Sequence, residues 1–379
     1  MTADSWDAWF GAQLDLIRSA GQWRTTTAFD ALGNRGTLPS SGEVISFAGN
    51  DYLGLSAHRA VIEAADAANR RWGTGATASR LVVGTRPAHS ELEAELAEWK
   101  GTERALVFAS GYQANLGVLT SVTDAGAQVF SDRLNHASLI DGCRLSKASI
   151  GVYEHCDIEH LDSLLGAADQ RCVVVTDTVF SMDGDAAPAE ALFECCARHR
   201  ALLVLDDAHS LLEPAVAPPA ELDLIRVGTL SKTLGSLGGF VAASGPVIDL
   251  LVNRARSFIF TTGLPPSACA AASAALGIVV SDEGADLISR LRRHVDRLAP
   301  GHPSPIVPLI IGAESDTVLA ASALLDRGLL VPAIRPPTVE PGTSRLRIAL
   351  SAAHSEAMVD QLLAALDHLR AADLLGRAR

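Results

Sequence analysis

The sequence predicts an α/β fold whose main sheet is largely parallel and covered by helices on both faces. Short, continuously apolar segments alternate with segments of helical periodicity through the middle of the chain. Strands buried on both faces have this appearance, whereas half-exposed strands alternate apolar with polar residues. The length of 379 residues and the hydrophobic content of 48% suit one large domain with a smaller companion. The predicted strands are residues 105–108, 128–130, 172–176, 201–205, 224–227 and 239–242.

The chain divides into three predicted regions. Residues 1–49 form an N-terminal helix and arm, residues 50–245 form a large α/β domain, and residues 246–379 form a smaller α+β domain. In the last region, strand-like segments precede an amphipathic helix at residues 355–372.

The first predicted helix carries an aromatic face. Apolar residues recur there at helical spacing, namely Trp6, Trp9, Phe10, Leu14 and Ile17. Spacings of three and four place such side chains on one side of a helix. We therefore expect this face to pack into the core.

Charge and cysteine usage limit the possible partners and the compartment. The net charge of -13 argues against nucleic acid or an anionic membrane as the principal partner. No apolar run is long enough to cross a bilayer, and residues 1–4 lack the pattern of a secretory leader, so we expect a cytoplasmic protein. The six cysteines show no C-x-x-C or zinc-type spacing, so we expect neither disulfides nor a structural metal.

Lys232 is notable because lysine is rare in this chain. The only others are Lys100 and Lys147, and the remaining Lys/Arg positions are arginine. Arginine stays protonated, whereas a lysine amine can act as a nucleophile and form a Schiff base with a carbonyl. The alternative, on this stretch alone, is an ordinary solvated lysine in a Ser/Gly-rich loop.

A candidate anion site lies between a predicted strand and a predicted helix, at Ser110-Gly111-Tyr112. The free N–H groups and positive dipole end of a helix start attract an anion, and glycine permits close approach. The spacing matches neither the P-loop nor G-x-G-x-x-G, so nucleotide fingerprints are absent. A plain N-cap serine is the alternative.

Polar residues follow the predicted strands, where ligands bind in parallel α/β sheets. Asp206 ends a buried strand, and a carboxylate there requires a cation or a donor. Pyridoxal phosphate (PLP) requires a lysine, a carboxylate for its ring nitrogen, a phosphate site and a ring-stacking group. The residues that meet these requirements are Lys232, Asp206, Ser110-Gly111-Tyr112 with Thr229, and His136. A capping aspartate and structural histidines are the alternatives.

The chain resembles the α-oxoamine synthases, a family of fold-type I PLP enzymes. The resemblance runs from about residue 24 to about residue 354 and implies the fold of an aspartate aminotransferase-like transferase. The stretches that carry it are Asn50-Asp51-Tyr52-Leu53-Gly54-Leu55, Ser110-Gly111-Tyr112-Gln113-Ala114-Asn115, Asn135-His136-Ala137-Ser138, Asp206-Asp207-Ala208-His209 and Thr229-Leu230-Ser231-Lys232.

The resemblance implies a role for each matching residue. Lys232 would hold the cofactor and move the α-proton, Asp206 would pair with the pyridine nitrogen, and His209 would contact the phenolic oxygen. His136 would stack on the ring. Further cofactor contacts are implied for Ser110, Gly111, Tyr112, Ser181, Thr229 and, from the other subunit of a homodimer, Thr262. Substrate contacts are implied for Arg24, Asn50, His136, Thr338 and Arg347, and Arg345 shares a strand face with Arg347, which leaves the choice between them open.

The implied reaction is the decarboxylative condensation of L-alanine with pimeloyl-CoA or pimeloyl-ACP in biotin biosynthesis. The cofactor residues do not separate this reaction from the condensation of glycine with acetyl-CoA. Synthesis of 5-aminolevulinate or sphingoid bases, and a non-catalytic binding homologue, are further alternatives. The sequence departs from the family after His209, where residues 210–219 replace a glycine-rich loop. This departure affects the expected acyl-donor channel and leaves the cofactor residues in place.

Overall fold

The computed structural model describes residues 5–375, and the structural statements that follow concern that part of the chain. The helices are α1 Trp6–Ser19, α2 Arg59–Trp72, α3 Pro87–Lys100, α4 Gly111–Val122, α5 Ala137–Leu145, α6 Ile158–Gly166, α7 Ala189–His199, α8 Gly245–Arg254, α9 Arg256–Ile259, α10 Pro266–Val279, α11 Asp282–Leu298, α12 Glu314–Leu325 and α13 Glu356–Ala371. The strands are β1 Asp30–Leu32, β2 Arg35–Leu38, β3 Gly42–Ser46, β4 Arg104–Phe108, β5 Ala127–Asp132, β6 Ser149–Tyr153, β7 Arg171–Asp177, β8 Leu202–Asp206, β9 Leu224–Thr229, β10 Gly239–Ala243, β11 Ile306–Gly312, β12 Leu329–Leu330, β13 Ala333–Ile334 and β14 Ser344–Ala349.

A seven-stranded sheet forms the centre of the larger of two compact units. Its strand order is β4-β10-β9-β8-β7-β5-β6, and neighbours from β9 through to β6 run parallel. The predicted parallel sheet is therefore confirmed for these strands. The prediction was wrong for β10, which runs antiparallel to both β4 and β9. An apolar strand buried on both faces looks the same in either direction, so the sequence pattern does not reveal its orientation.

Two hydrophobic clusters cover the faces of this sheet. Val173 and Val175 point into one cluster, which includes residues of α4, α5 and α8. Val174 points into the other, with residues of α6 and α7. Because side chains alternate along a strand, both faces are buried. This two-sided burial explains the continuous apolar strands of the sequence.

The larger unit comprises residues 47–308 and 348–363, and the smaller one contains residues up to Ser46, residues 309–347 and residues from 364 onward. In the smaller unit, β1, β2 and β3 form an antiparallel meander, and β12 joins β3 in parallel. Strand β13 pairs antiparallel with β14. The three-part domain division expected from the sequence stays a prediction.

The first helix forms as predicted, but its aromatic face is not core. Ser5 caps α1 by accepting a hydrogen bond from the backbone of Ala8. No residue of α1 is buried, and Trp6 is 72% exposed. Trp6, Trp9 and Phe10 instead pack on one another, with ring centroids 5.4 to 6.0 Å apart. Helical spacing identifies an apolar face without identifying what covers it.

All six cysteines are free thiols.

Among the described residues, no single helix is long and apolar enough to span a membrane. Helices α10 and α11 together have the length and composition of a span, but the chain bends by 78° between them.

Candidate active site

Lys232 lies in a tight turn between β9 and β10. The turn closes through backbone hydrogen bonds from Leu230 to Gly238 and from Ser236 to Leu230. The side chain is partly buried, and its Nζ atom lies 2.7 Å from Nε2 of His209. The two residues follow adjacent parallel strands, so the sheet brings the amine and the imidazole together.

Tyr52 holds the opposite side of the same imidazole. Its hydroxyl lies 2.5 Å from Nδ1 of His209 and 3.2 Å from Oδ1 of Asn50. The phenol is fully buried, so it cannot swing away from His209. The sequence analysis placed Tyr52 in a family stretch without giving it a role. Its position after a Gly-Asn-Asp turn carried no signal of a contact 157 residues away.

Asp206 ends β8 as a buried carboxylate. Its Oδ2 atom accepts a hydrogen bond from Nδ2 of Asn115 at 2.6 Å, and its Oδ1 atom accepts one from the backbone of Ala208 at 2.9 Å. Both donors are neutral, and a buried carboxylate is stabilised much further by a cation. A protonated ring nitrogen is a partner of that kind.

Asp177 is a second carboxylate beside Asp206, in register with it across β7 and β8. Burial, reinforced by the negative charge of Asp206, raises the pKa of Asp177 well above its usual range. The backbone N–H of His136 donates to Asp177 at 2.7 Å. Asp177 therefore anchors the loop that carries His136.

The start of α4 lies next to the end of β9 and brings backbone and hydroxyl groups together. Ser110 caps α4, and its hydroxyl accepts a hydrogen bond from Gln113. A Cβ built on Gly111 would lie 3.6 Å from Cβ of Thr229, whose hydroxyl is 2.7 Å from that of Ser231. Helix N–H groups and clustered hydroxyls suit a phosphate.

Gly239 allows this close arrangement. A Cβ at this position in β10 would lie 2.4 Å from the backbone nitrogen of Gly111. Only a residue without a side chain lets the start of α4 approach the strand so closely. With an amine at Lys232, a carboxylate at Asp206 and donors at the helix start, the residues present fit PLP.

Three other predicted cofactor residues take different positions. Tyr112 lies in the first turn of α4, and its hydroxyl donates to the carboxylate of Asp141. Ser181 lies in the turn after β7. Thr262 is exposed in the segment between α9 and α10.

The predicted substrate residues are divided between the two compact units. In the smaller unit, Arg24 and Thr338 line a cavity of about 340 Å³ together with Arg335. Arg345 and Arg347 are both buried on β14, and the guanidinium of Arg345 donates to the backbone oxygen of Thr343 at 3.0 Å and to its hydroxyl at 3.2 Å.

Asn50 lies in the larger unit, where its amide oxygen accepts from Tyr52. It thus belongs to the group of side chains around His209.

His155 links two carboxylates on different segments of the chain, Asp132 at the end of β5 and Asp185 in the loop after β7. The ring nitrogens of His155 lie 3.0 Å from Asp132 and 2.8 Å from Asp185. Burial lowers the pKa of His155, but the hydrogen bonds to the two carboxylates outweigh it and raise the pKa to about 12. Asp132, His155 and Cys156 lie close enough to share a metal ion. Each ring nitrogen of His155 has a carboxylate partner, so we interpret this cluster as an ion-pair network.

Comparison with known proteins places the chain among PLP enzymes. Residues 42–366 match the family model of aminotransferase class I and II. The 8-amino-7-oxononanoate synthase of Burkholderia thailandensis is 49% identical over 348 residues, covering 86% of this chain and 88% of that protein. The protein of the same name from Anaeromyxobacter dehalogenans strain 2CP-1 is 46% identical over 384 residues, covering 94% of each.

Solved structures agree. The serine palmitoyltransferase of Sphingomonas wittichii is 29% identical, with a TM-score of 0.89 and 100% of both chains covered. A serine palmitoyltransferase variant from S. paucimobilis with a bound PLP–myriocin aldimine is 28% identical, with a TM-score of 0.87, covering 98% of this chain and 99% of that one. The predicted fold-type I transferase fold is confirmed. The chain belongs to the aminotransferase class I and II family and, within it, to the α-oxoamine synthases.

Proposed function

We propose that this PLP-dependent acyltransferase condenses L-alanine with a pimeloyl thioester, releasing carbon dioxide and the free thiol carrier and yielding 8-amino-7-oxononanoate for biotin biosynthesis. The observation that carries the proposal is the 2.7 Å contact between Lys232 and His209 beside the buried Asp206. Relatives at 46% and 49% identity that are named for this product supply the substrate class.

The chain's own residues account for the proton movements in this proposal. Lys232 is the base that removes the α-proton of L-alanine, and it can do so only while its amine is neutral. His209 orients that amine. Asp206 would pair with the pyridine nitrogen of PLP and keep it protonated. When bound, PLP supplies an electron-accepting ring that spreads the negative charge left at the α-carbon.

The substrate assignments remain part of the proposal. Arg24, Thr338 and Arg347 offer two guanidinium groups and a hydroxyl, which suit carboxylates, and Asn50 adds an amide. Arg347 is the proposed ligand of the amino-acid carboxylate, and Arg345 on the same face of the strand is the alternative. His136 would stack on the cofactor ring and hydrogen-bond the ketone oxygen, and the residues that would line the cofactor are Ser110, Gly111, Tyr112, Ser181 and Thr229.

We also propose that the protein is a cytoplasmic homodimer in which Thr262 of one subunit reaches the phosphate site of the other. The helical turn Arg80–Gly84 exposes three consecutive apolar side chains, and Val82 among them is 74% exposed. This turn is tied to the segment of Thr262, since Gly263 donates to Ala78 at 2.9 Å, and Phe260 nearby is 70% exposed. An exposed apolar surface of this kind beside Thr262 supports burial against a second copy.

The test is a substrate matrix with product identification. Purified, PLP-loaded protein is incubated with L-alanine, glycine or L-serine, each combined with pimeloyl-CoA, pimeloyl-ACP or acetyl-CoA, and the products are identified by mass spectrometry. The proposal expects 8-amino-7-oxononanoate from L-alanine and a pimeloyl donor. Turnover confined to glycine with acetyl-CoA would replace it with the ketobutyrate-forming reaction, and no turnover in any combination would favour a binding role.

A further inference from the structure

Asp206 is connected to His136 by a continuous chain of hydrogen bonds. Nδ2 of Asn115 donates to Oδ2 of Asp206 at 2.6 Å and to Oγ of Ser138 at 2.8 Å. Oγ of Ser138 lies 2.8 Å from Nδ1 of His136. Asn115 and Ser138 are each 1% exposed, so water does not compete for these bonds.

The direction of each bond follows from which atoms carry hydrogens. A carboxylate only accepts, so the amide group of Asn115 must turn its NH2 toward Asp206. The second N–H of that group faces Ser138, whose oxygen therefore accepts. The hydroxyl hydrogen of Ser138 is then available for Nδ1 of His136.

A backbone contact decides the state of the imidazole. His136 caps α5, and the backbone N–H of Ser138 points at Nδ1 from 3.3 Å. A backbone N–H can only donate, so Nδ1 must offer its lone pair. In a neutral imidazole with an unprotonated Nδ1, the proton lies on Nε2.

We propose that Asn115 and Ser138 are positioning residues that hold His136 as the neutral tautomer protonated on Nε2, so that it presents an N–H donor to the reacting oxygen of the substrate. The inference rests on the role proposed for His136. A preoriented donor stabilises negative charge that develops on a carbonyl or carboxylate oxygen without the cost of reorienting at that moment.

The electrostatic surroundings of His136 agree with a neutral ring. Partial burial lowers its pKa below the usual value; the charge of Asp206 opposes this effect, and that of Lys232 adds to it. The carboxylate of Asp177 accepts a hydrogen bond from the backbone N–H of His136 rather than from its imidazole.

Nitrogen-15 NMR of histidine-labelled, PLP-loaded protein tests the tautomer directly. The His136 signals are assigned by their absence in His136→Asn. We expect a proton on Nε2 and none on Nδ1 at pH 7. In Ser138→Ala, loss of the hydroxyl donor should move the midpoint of the His136 titration upward and lower kcat roughly tenfold, the size of one hydrogen bond. Ser138→Thr should restore both.

Matched variants separate this role from general stability. Ser121→Ala removes a hydroxyl equally buried on α4, and we expect it to change neither the titration nor kcat. Asn115→Asp replaces both N–H donors with acceptors, and it should weaken PLP binding at least tenfold by repelling Asp206. A proton on Nδ1 in the unmodified protein, or an unchanged kcat in Ser138→Ala, would overturn the proposal. Failure of the substrate matrix would instead count against the proposed reaction, because the NMR result does not depend on the substrate.

Discussion

Both ring nitrogens of His209 have a side-chain partner: the amine of Lys232 lies 2.7 Å from Nε2, and the hydroxyl of Tyr52 lies 2.5 Å from Nδ1. Tyr52 is fully buried and His209 nearly so, so the imidazole has little freedom to rotate. The amine on the neighbouring turn is consequently held in one place. A base positioned in this way loses little entropy when it takes a proton.

Lys232→Ala should abolish turnover and the absorbance band of the Schiff base between PLP and the lysine. No other lysine replaces the amine in the described site, since Lys100 pairs with Asp207 and Lys147 is exposed on another loop. Absorbance spectra and the product assay measure the two effects. Lys147→Ala is the matched control and should behave as the unmodified protein. Turnover that persists without Lys232 would refute its role as the base.

Tyr52→Phe should lower kcat about tenfold while changing KM for L-alanine little, because it removes one hydrogen bond that orients His209. Steady-state kinetics with L-alanine measure kcat and KM separately and so check this prediction. Tyr153→Phe alters a tyrosine equally buried but on the far edge strand β6, and it should leave kcat unchanged. Equal losses in both variants would indicate a packing effect instead.

Asp207→Asn should destabilise the fold by about 3–5 kcal/mol, because it leaves two cations without their buried partner. Asp207 lies 3.0 Å from both Lys100 and Arg226. Chemical denaturation measures the change in the free energy of unfolding. Asp249→Asn removes the exposed pair with Arg104 and should cost less than about 1 kcal/mol.

The ionisation of Asp207 should also make the stability of the fold depend on pH in acid. Burial raises the pKa of Asp207, but Lys100 and Arg226 outweigh it, so the net shift is downward. A depressed pKa in the folded state gives stability that is present above the unfolded-state pKa and is lost as pH falls through the folded-state value. The free energy of unfolding of Asp207→Asn should therefore fall less steeply with decreasing pH than that of the unmodified protein. The same pH dependence in both proteins would show that Asp207 is not the source of the acid sensitivity.

The difference in stability between His155→Gln and the unmodified protein should become smaller as pH rises. The pKa of His155 is raised to about 12, so its ion pairs contribute fully below the unfolded-state pKa and are lost progressively as pH rises toward about 12. Thermal unfolding of both proteins at pH 6, 8 and 10 checks the trend. A difference that stays constant over this range would show that the contribution is packing rather than charge.

Gly239→Ala should weaken PLP binding strongly, because the added methyl group would displace the start of α4 from β10. Its nearest atom would be the Gly111 nitrogen, only 2.4 Å away. PLP titration followed by fluorescence gives the dissociation constant. Gly277→Ala is the control, since its methyl group would meet nothing within 4 Å inside α10 and should stabilise the helix by up to about 1 kcal/mol. Unchanged PLP affinity in Gly239→Ala would contradict the proposed phosphate site.

Sequence patterns predicted most of the large sheet but not all of its geometry. The apolar segments before Asn135, Asp177 and Lys232 all became strands of the seven-stranded sheet. Strand β6 was missed because its exposed edge position leaves it with fewer apolar residues: Ile150 and Val152 are exposed. The burial of α1 was predicted wrongly, because periodicity records which side of a helix is apolar and not what lies against it.

The chemical groups of the candidate site were readable from the sequence alone. Lysine rarity singled out Lys232. Asp206 and His209 lie at or just beyond the end of a buried strand, and the carboxyl ends of parallel strands meet at one edge of a sheet. Only the tertiary structure revealed Tyr52 and Asn115, which contact His209 and Asp206 across 157 and 91 residues of chain. Contacts of that range depend on strand order and helix placement, which are set by the packing of the whole chain, and so no local pattern could predict them.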